Sequence, residues 1–135
     1  MKVKVQQVDG EVFIASNGEH EVKLGRGDCF RPMEMVLASI ASCAGIDIQI
    51  ILEKQKIEWS TFTVHVKGER DEVNVPSVFT NIQLDFIFTG ENLPLSKLKR
   101  AISLSIEKYC SVAAMLNSEV IIKTCLTLND VSYEL

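Results

Sequence analysis

The sequence contains little histidine and none of the common metal-binding or catalytic motifs. It has two histidines, His20 and His65, and no pair of cysteines separated by two residues. The missing CxxC pair excludes a zinc ribbon and a thioredoxin motif, and two histidines supply a mixed histidine–cysteine metal site poorly. HExxH, GxSxG, a phosphate-binding loop and a Rossmann glycine pattern are also absent. We therefore expect no metal site.

Basic clusters and an N-terminal apolar segment are missing as well. The net charge is −4 and lysine and arginine do not cluster, which argues against a nucleic-acid partner. Residues 1–12 lack the apolar core of a secretory signal. The four cysteines are widely spaced, unlike those of a small secreted disulfide scaffold. We expect a cytoplasmic protein.

The longest apolar run, residues 31–54, predicts a helix because it is too long for one strand. Pro32 suits the first helical position, where its missing N–H would have had no partner. The run is long enough to cross a membrane, but its middle is too polar for a confident span. The polar or small residues there are Ser39, Ser42, Cys43, Gly45, Asp47 and Gln49. A central helix shared by two subunits fits better, so we expect no membrane association.

The rest of the chain predicts a single α+β domain over residues 1–135, with antiparallel sheets around two long apolar helices. A hydrophobic content of 47% in so short a chain suggests that an oligomer buries further apolar surface. Ser111 is the expected N-cap of a short helix over residues 112–117. The tail after Leu128 is expected to be loose. The other predicted elements are a three-stranded meander in residues 1–24 with turns at Asp9-Gly10 and Asn17-Gly18, strands at 61–70, 78–89 and 119–128, and a helical region at 93–116. Alternate residues of the strand at 78–89 face one way, and apolar residues up to Tyr109 recur at helical intervals in the region 93–116.

Cysteine is the one strong nucleophile available to this chain. Cys43 lies near the centre of the long helix, where a cysteine alone is ordinarily a small apolar residue. Cys110 falls at the expected break between two helical pieces, where it can approach Cys43 without the strain that two mid-helix cysteines meet. The short helix that follows could direct N–H groups and positive potential at a nearby thiolate.

Two segments, RPMEMVLASIASCAGID and EKYCSVAAML, together resemble the OsmC/Ohr family of thiol-dependent hydroperoxide reductases, and in particular its divergent OsmC-like members. The first family motif is a helix-opening proline with a cysteine eleven positions later, here Pro32 and Cys43. The second is a cysteine followed by a small helix opening, here Cys110-Ser111-Val112. The order of strands and helices also matches, so the resemblance covers nearly the whole chain.

The resemblance implies an intertwined homodimer that reduces organic hydroperoxides to alcohols, an antioxidant role in oxidative stress. Cys43 would be the peroxidatic cysteine and Cys110 the resolving one, joined in an intramolecular disulfide. A dithiol reductant, lipoyl-linked in the better-known relatives, would then reduce that disulfide. No metal, flavin or haem cofactor is implied.

The sequence departs from the family at the position after the motif proline. The better-known relatives have a glutamate there, whereas this chain has Met33 and then Glu34. Glu34 is nine residues from Cys43, on the opposite face of a regular helix, so we expect it to interact with the helix N-terminus instead. Arg26 and Arg31 are the candidates for the family's thiolate-holding arginine, and we prefer Arg26.

Several other residues keep two interpretations. Asp47 lies one turn after Cys43 on the same face, where a carboxylate disfavours a thiolate, so we expect it to cap or to pair across the dimer. Cys29 is a third redox thiol or a bystander, and Cys125 is interpreted as structural. The candidates for an apolar substrate pocket, which core packing explains equally well, are Phe30, Met33, Met35, Tyr109 and Met115.

Two alternatives to a peroxidase remain open. One is a dimeric binding or redox-sensing protein that keeps the fold and the cysteines without efficient turnover. The other is a structural dimer with incidental buried cysteines.

Overall fold

Residues 1–36 form the first of two compact units in the computed structural model, which describes residues 1–116 and 118–135. Three antiparallel strands in the order β1-β2-β3 make up its sheet, which confirms the predicted meander. Gly25 ends the third strand at a φ of +142°, and a Cβ there would overlap the carbonyl of Glu11. The strands are β1 (Lys4–Asp9), β2 (Val12–Ser16) and β3 (Glu21–Gly25).

The long helix α1 (Pro32–Lys54) begins at the predicted proline. Glu34 accepts a hydrogen bond from the Arg31 backbone N–H at 2.8 Å. This is the half of a capping box in which a side chain reaches back to satisfy an N–H at the helix start. The expected interaction of Glu34 with the helix N-terminus is therefore confirmed.

The second unit, residues 37–135, contains a four-stranded sheet in the order β4-β5-β6-β7. Alternate residues of β5 are fully buried, as the sequence predicted: Ile82, Leu84, Phe86 and Phe88. The pairing of β5 with β6 is parallel, which differs from the antiparallel expectation because a helical crossover connects these two strands. The strands are β4 (Thr61–Arg70), β5 (Phe79–Thr89), β6 (Ile121–Leu128) and β7 (Val131–Glu134).

The expectation of a loose tail is wrong, because β7 pairs antiparallel with β6. Leu128 and Val131 are paired, so Asn129 and Asp130 form a two-residue hairpin. Both have positive φ, 46° and 68°, as a type I′ turn requires, and asparagine and aspartate tolerate that region.

The second helical region divides into three pieces: α2 (Leu95–Leu104), a π turn (Ser105–Tyr109) and α3 (Ser111–Met115). The N-cap of α3 is Cys110 rather than the predicted Ser111. Cys110 has extended backbone angles and its sulfur accepts the Ala113 N–H, so Ser111 is already the first helical residue. The predicted end of this helix at Asn117 lies outside the described residues.

One stripe of α1 is buried within the chain, at Ile40, Ala41, Ala44, Ile48 and Leu52. Ile46 and Ile50 on another side are 56% and 44% exposed, so the single chain does not bury most faces of this helix. By length and composition α1 could cross a membrane, a test that core helices of soluble proteins also pass. The single domain over residues 1–135 stays a prediction.

Replacing Gly68 on β4 by alanine is expected to destabilise the protein by about 1–3 kcal/mol, the usual cost of overpacking. The new Cβ would overlap the ring of Phe79 and lie 3.0 Å from Leu37 Cδ2. Urea unfolding at a fixed protein concentration measures the change.

Gly45→Ala on α1 is the matched control. Its Cβ would lie 3.8 Å from Val64 Cγ2, an ordinary contact, so we expect a gain of about 0.4–1 kcal/mol. Equal unfolding midpoints for the two variants would contradict this description of the packing.

Candidate active site

Cys43 lies in the middle of α1 and is partly exposed. The adjacent Ala44 and the later Ile48 are fully buried. Cys43 therefore lies at the border of the helix's buried stripe, where its thiol meets the rest of the second unit and keeps access to solvent.

Cys110 is positioned by the π turn. Its N–H donates to the carbonyl oxygen of Ser105 at 2.7 Å, a bond that spans five residues instead of the usual four. A single widened turn of this kind is frequent at functional sites. Cys110 is 2% exposed, and its Sγ accepts the Ala113 N–H at 3.4 Å.

Three side chains converge where α1 meets the end of the π turn. Three ligand atoms lie within 4.8 Å of one another: Cys43 Sγ, Cys110 Sγ and a carboxylate oxygen of Asp47. Both cysteines are free thiols. The expectation that the fold brings Cys110 close to Cys43 is confirmed, while the catalytic roles of the two thiols stay predictions.

Ser105 connects the two halves of this site and was missed in the sequence. Its side chain is fully buried, and its hydroxyl contacts Asp47 Oδ2 at 3.1 Å and the Ala44 carbonyl oxygen at 3.3 Å. A signal was present: Ser105 lies seven residues after the buried Leu98, so helical spacing places it on the apolar face of α2. A buried hydroxyl at such a position needs a polar partner.

Asp47 therefore has a partner within its own chain. The sequence suggested a cap or an ion pair across a dimer, and the structure shows a hydrogen bond from Ser105. This bond fixes the carboxylate on the side of α1 that carries Cys43.

Burial raises the pKa of the Cys110 thiol above its ordinary value. The neighbouring Cys43 raises that pKa further, whereas the N–H groups of Ala113 and Val112 oppose the shift. A raised pKa means less thiolate at a given pH, so Cys110 is held mainly as a thiol.

Most of the other predicted site residues lie in the first unit. Arg26 pairs with Glu11 at 3.2 Å, with both side chains largely exposed. Arg31 and Phe30 are exposed and Met33 is half-buried. The parts assigned to these residues, and to Glu34, in substrate binding and catalysis stay predictions.

Tyr109 and Met115 are the pocket candidates that lie in the second unit. Tyr109 directly precedes Cys110 in the sequence. Tyr109 is 50% exposed, and the Lys108 ammonium lies 5.4 Å from its ring centroid. The proposed contact of these residues with substrate also stays a prediction.

Cys125 lies on β6, opposite Asp85 of β5. Burial, and then the Asp85 carboxylate, raise the pKa of Cys125 to about 11. Little thiolate forms there near neutral pH, which favours the structural interpretation. Cys29 is half-buried in the loop before α1, where its N–H donates to the Gly27 carbonyl oxygen.

Comparison with known proteins identifies the family. The OsmC-like protein family matches residues 25–124, which include Cys43, Asp47, Ser105 and Cys110. The chain belongs to the OsmC family. Protein YhfA of Escherichia coli (strain K12) is 39% identical over 124 residues, which are 89% of this chain and 92% of YhfA.

Solved structures agree with this OsmC assignment. A hypothetical protein from Aquifex aeolicus VF5 has a TM-score of 0.84 and 29% identity, with 95% of this chain and 96% of that one covered. An organic hydroperoxide resistance protein OsmC from Legionella pneumophila has a TM-score of 0.71 at 16% identity, with 94% and 97% covered, and shows the shared fold. The predicted family and the α+β fold class are confirmed.

We expect an alkylating reagent to modify Cys43 several-fold faster than Cys110 near neutral pH. Cys110 is almost completely buried and its pKa is raised, and thiolate character and access control alkylation. Peptide mass spectrometry over time, on a Cys29→Ser/Cys125→Ser background, measures both rates. Faster modification of Cys110 would contradict the order of accessibility described above.

Proposed function

We propose that this OsmC-family protein reduces organic hydroperoxides to alcohols, with Cys43 as the peroxidatic and Cys110 as the resolving thiol. The observation that carries the proposal is the convergence of two free thiols, from positions 67 residues apart in the sequence, within 4.8 Å. A peroxide-related role also fits a structural relative that is named an organic hydroperoxide resistance protein.

The first step is attack by the Cys43 thiolate on the distal oxygen of the hydroperoxide. A sulfur–oxygen bond forms and the oxygen–oxygen bond breaks, so sulfur is oxidised and the peroxide is reduced. The electron pair leaves on the alkoxide, which takes a proton to become the alcohol, and Cys43 becomes a sulfenic acid. Cys43 takes this role because it is partly exposed, whereas Cys110 is 2% exposed.

The second step joins the two sulfur atoms. The Cys110 thiolate attacks the sulfenic sulfur of Cys43, a disulfide forms, and hydroxide leaves and is protonated to water. The N–H groups at the start of α3 favour the thiolate of Cys110. The sulfur atoms must approach to about 2 Å, and Cys110 is suited to this movement because it links the π turn to α3 rather than lying inside a helix.

The third step returns the site to the dithiol. An external dithiol, lipoyl-linked by analogy with better-known members of the family, attacks the disulfide and is itself oxidised. The sulfur atoms and the external dithiol carry all the electrons, so the proposal requires no bound cofactor.

The proposal includes a cytoplasmic homodimer. The exposed Ile46 and Ile50 lie on α1, beside the stripe that the chain itself buries. A second copy covering them would remove this apolar surface from water. Light scattering that gives the mass of one chain would contradict the dimer.

A positive charge near Cys43 would hold its thiolate and polarise the peroxide. Arg26 is our preferred candidate and Arg31 is the alternative. Arg26 pairs with the exposed Glu11, and an exposed pair of this kind is weak enough to exchange partners.

Redox sensing is the second candidate function, and Asp47 favours it. Its carboxylate oxygen lies within 4.8 Å of both sulfur atoms, where negative charge disfavours thiolate formation. A site of this kind would be oxidised by peroxide but would turn over slowly.

Steady-state consumption of cumene hydroperoxide with dihydrolipoamide as reductant tests the proposal. Cys43→Ser should lower the rate about 100-fold or more because the nucleophile is lost. Cys110→Ser should stop turnover after Cys43 is oxidised. Cys125→Ser, the matched control, should leave the rate unchanged.

The same assay separates the other possibilities. Arg26→Gln should lower the rate more than Arg31→Gln if Arg26 assists Cys43. Wild-type protein that is oxidised once but never turns over would contradict the peroxidase and favour the sensor.

A further inference from the structure

The three converging side chains also have the composition of a metal site. Thiolate sulfur and carboxylate oxygen are both ligands of Zn²⁺, and zinc sites with three protein ligands keep a fourth position open. We propose that Cys43, Asp47 and Cys110 together bind Zn²⁺. The sequence gave no sign of such a site, because its ligands come from two distant segments that only the fold brings together.

The spacing of the ligand atoms suits this ion. Zn–S and Zn–O bond lengths place ligand atoms around a tetrahedral zinc roughly 3.5–3.8 Å apart. The two sulfur atoms and the carboxylate oxygen lie within 4.8 Å of one another. Small side-chain rotations therefore complete the geometry.

Neighbouring groups hold two of the ligands in place. The Ser105 hydroxyl, fully buried, donates to Asp47 Oδ2 at 3.1 Å, and the Ala113 N–H donates to Cys110 Sγ at 3.4 Å. Such partners orient metal ligands, and their loss commonly costs 10- to 100-fold in affinity. The site thus has three ligand atoms, and two of its ligands also have contacts that hold them in place.

The charge of the three ligands favours a divalent cation, and their chemical types favour zinc. Zinc binding displaces the proton of each thiol to solvent, so the three ligands then carry one negative charge each, in a partly buried position where unpaired charge is costly. A divalent cation offsets most of that charge. Asp47 favours Zn²⁺ over Cu(I), because Cu(I) prefers soft sulfur ligands and gains little from a carboxylate.

Zinc binding and disulfide formation exclude each other at this site. An ion bonded to both sulfur atoms keeps Cys43 from attacking a peroxide and Cys110 from resolving the sulfenic acid. This consequence rests on the proposed function, whereas the zinc site itself does not, because binding requires only the reduced side chains.

Zinc titration of the reduced full-length protein against a chromophoric chelator tests the inference. One Zn²⁺ per chain is expected for the wild type, and none at this site for Cys43→Ser or Cys110→Ser. Asp47→Asn keeps the shape of the side chain and should weaken binding at least about 10-fold, and Ser105→Ala about 10-fold. Cys29→Ser and Cys125→Ser are matched controls and should bind as the wild type does.

Co²⁺ provides a second readout that reports the ligands directly. Wild-type protein should show thiolate-to-cobalt charge-transfer absorption from two sulfur atoms, and Cys43→Ser and Cys110→Ser should both lose this absorption. Circular dichroism of every variant verifies that the fold is kept. Unchanged affinity in Asp47→Asn, or unchanged stoichiometry in Cys43→Ser, would overturn the site.

The titration contains no peroxide, so its failure is distinct from failure of the proposed function. Hydroperoxide turnover without zinc binding overturns the metal site alone. Zinc binding without turnover supports the metal site and removes the peroxidase.

Discussion

The site depends on one buried residue, Ser105, which connects two segments through different atoms. Its hydroxyl contacts the Ala44 carbonyl oxygen and the Asp47 carboxylate on α1. Its own carbonyl oxygen accepts the Cys110 N–H. A single residue therefore sets the position of Cys110 relative to the helix that carries Cys43. Because the hydroxyl is fully buried, loss of these bonds would leave polar groups unsatisfied, so the arrangement is held firmly.

Opposing influences act on the pKa of the Cys110 thiol. The N–H groups at the start of α3 stabilise a thiolate at Cys110, whereas burial and the neighbouring Cys43 raise its pKa. The Asp47 carboxylate adds negative charge beside both sulfur atoms. In the proposed mechanism the more exposed Cys43 reacts first, and in the proposed metal site the same negative charge favours a cation. The two proposals therefore make the dithiol, disulfide and metal-bound states alternatives for the same two sulfur atoms.

Local patterns in the sequence predicted much of the fold. Alternation defined β5, the proline marked the start of α1, and turn residues separated β1, β2 and β3. Features that depend on tertiary contacts were not predictable. The parallel pairing of β5 with β6 follows from the crossover between them, and β7 depends on a turn with positive φ at Asn129 and Asp130. The π turn changes the helical register, so Tyr109 is 50% exposed although helical spacing placed it with the buried residues.

The two cysteines of the candidate site could be predicted from the sequence, but the contacts around them could not. Family motifs indicated Cys43 and Cys110, and the break between helices indicated that they could meet. The partner of Asp47 could not be read from the sequence, because Ser105 is 58 residues away and only the tertiary contact between the two helical segments brings it there. The hydrogen bond from the Arg31 N–H to Glu34 could be predicted, because it joins residues three apart at the start of a helix.

The most direct test of the account is free-thiol counting by mass spectrometry, before and after one equivalent of cumene hydroperoxide. The account predicts that wild-type protein loses two thiols and yields a disulfide-linked pair of peptides containing Cys43 and Cys110. Cys43→Ser should yield no such pair. No loss of thiols, or oxidation confined to Cys29, would contradict the claim that the adjacent thiols form a peroxide-reactive pair.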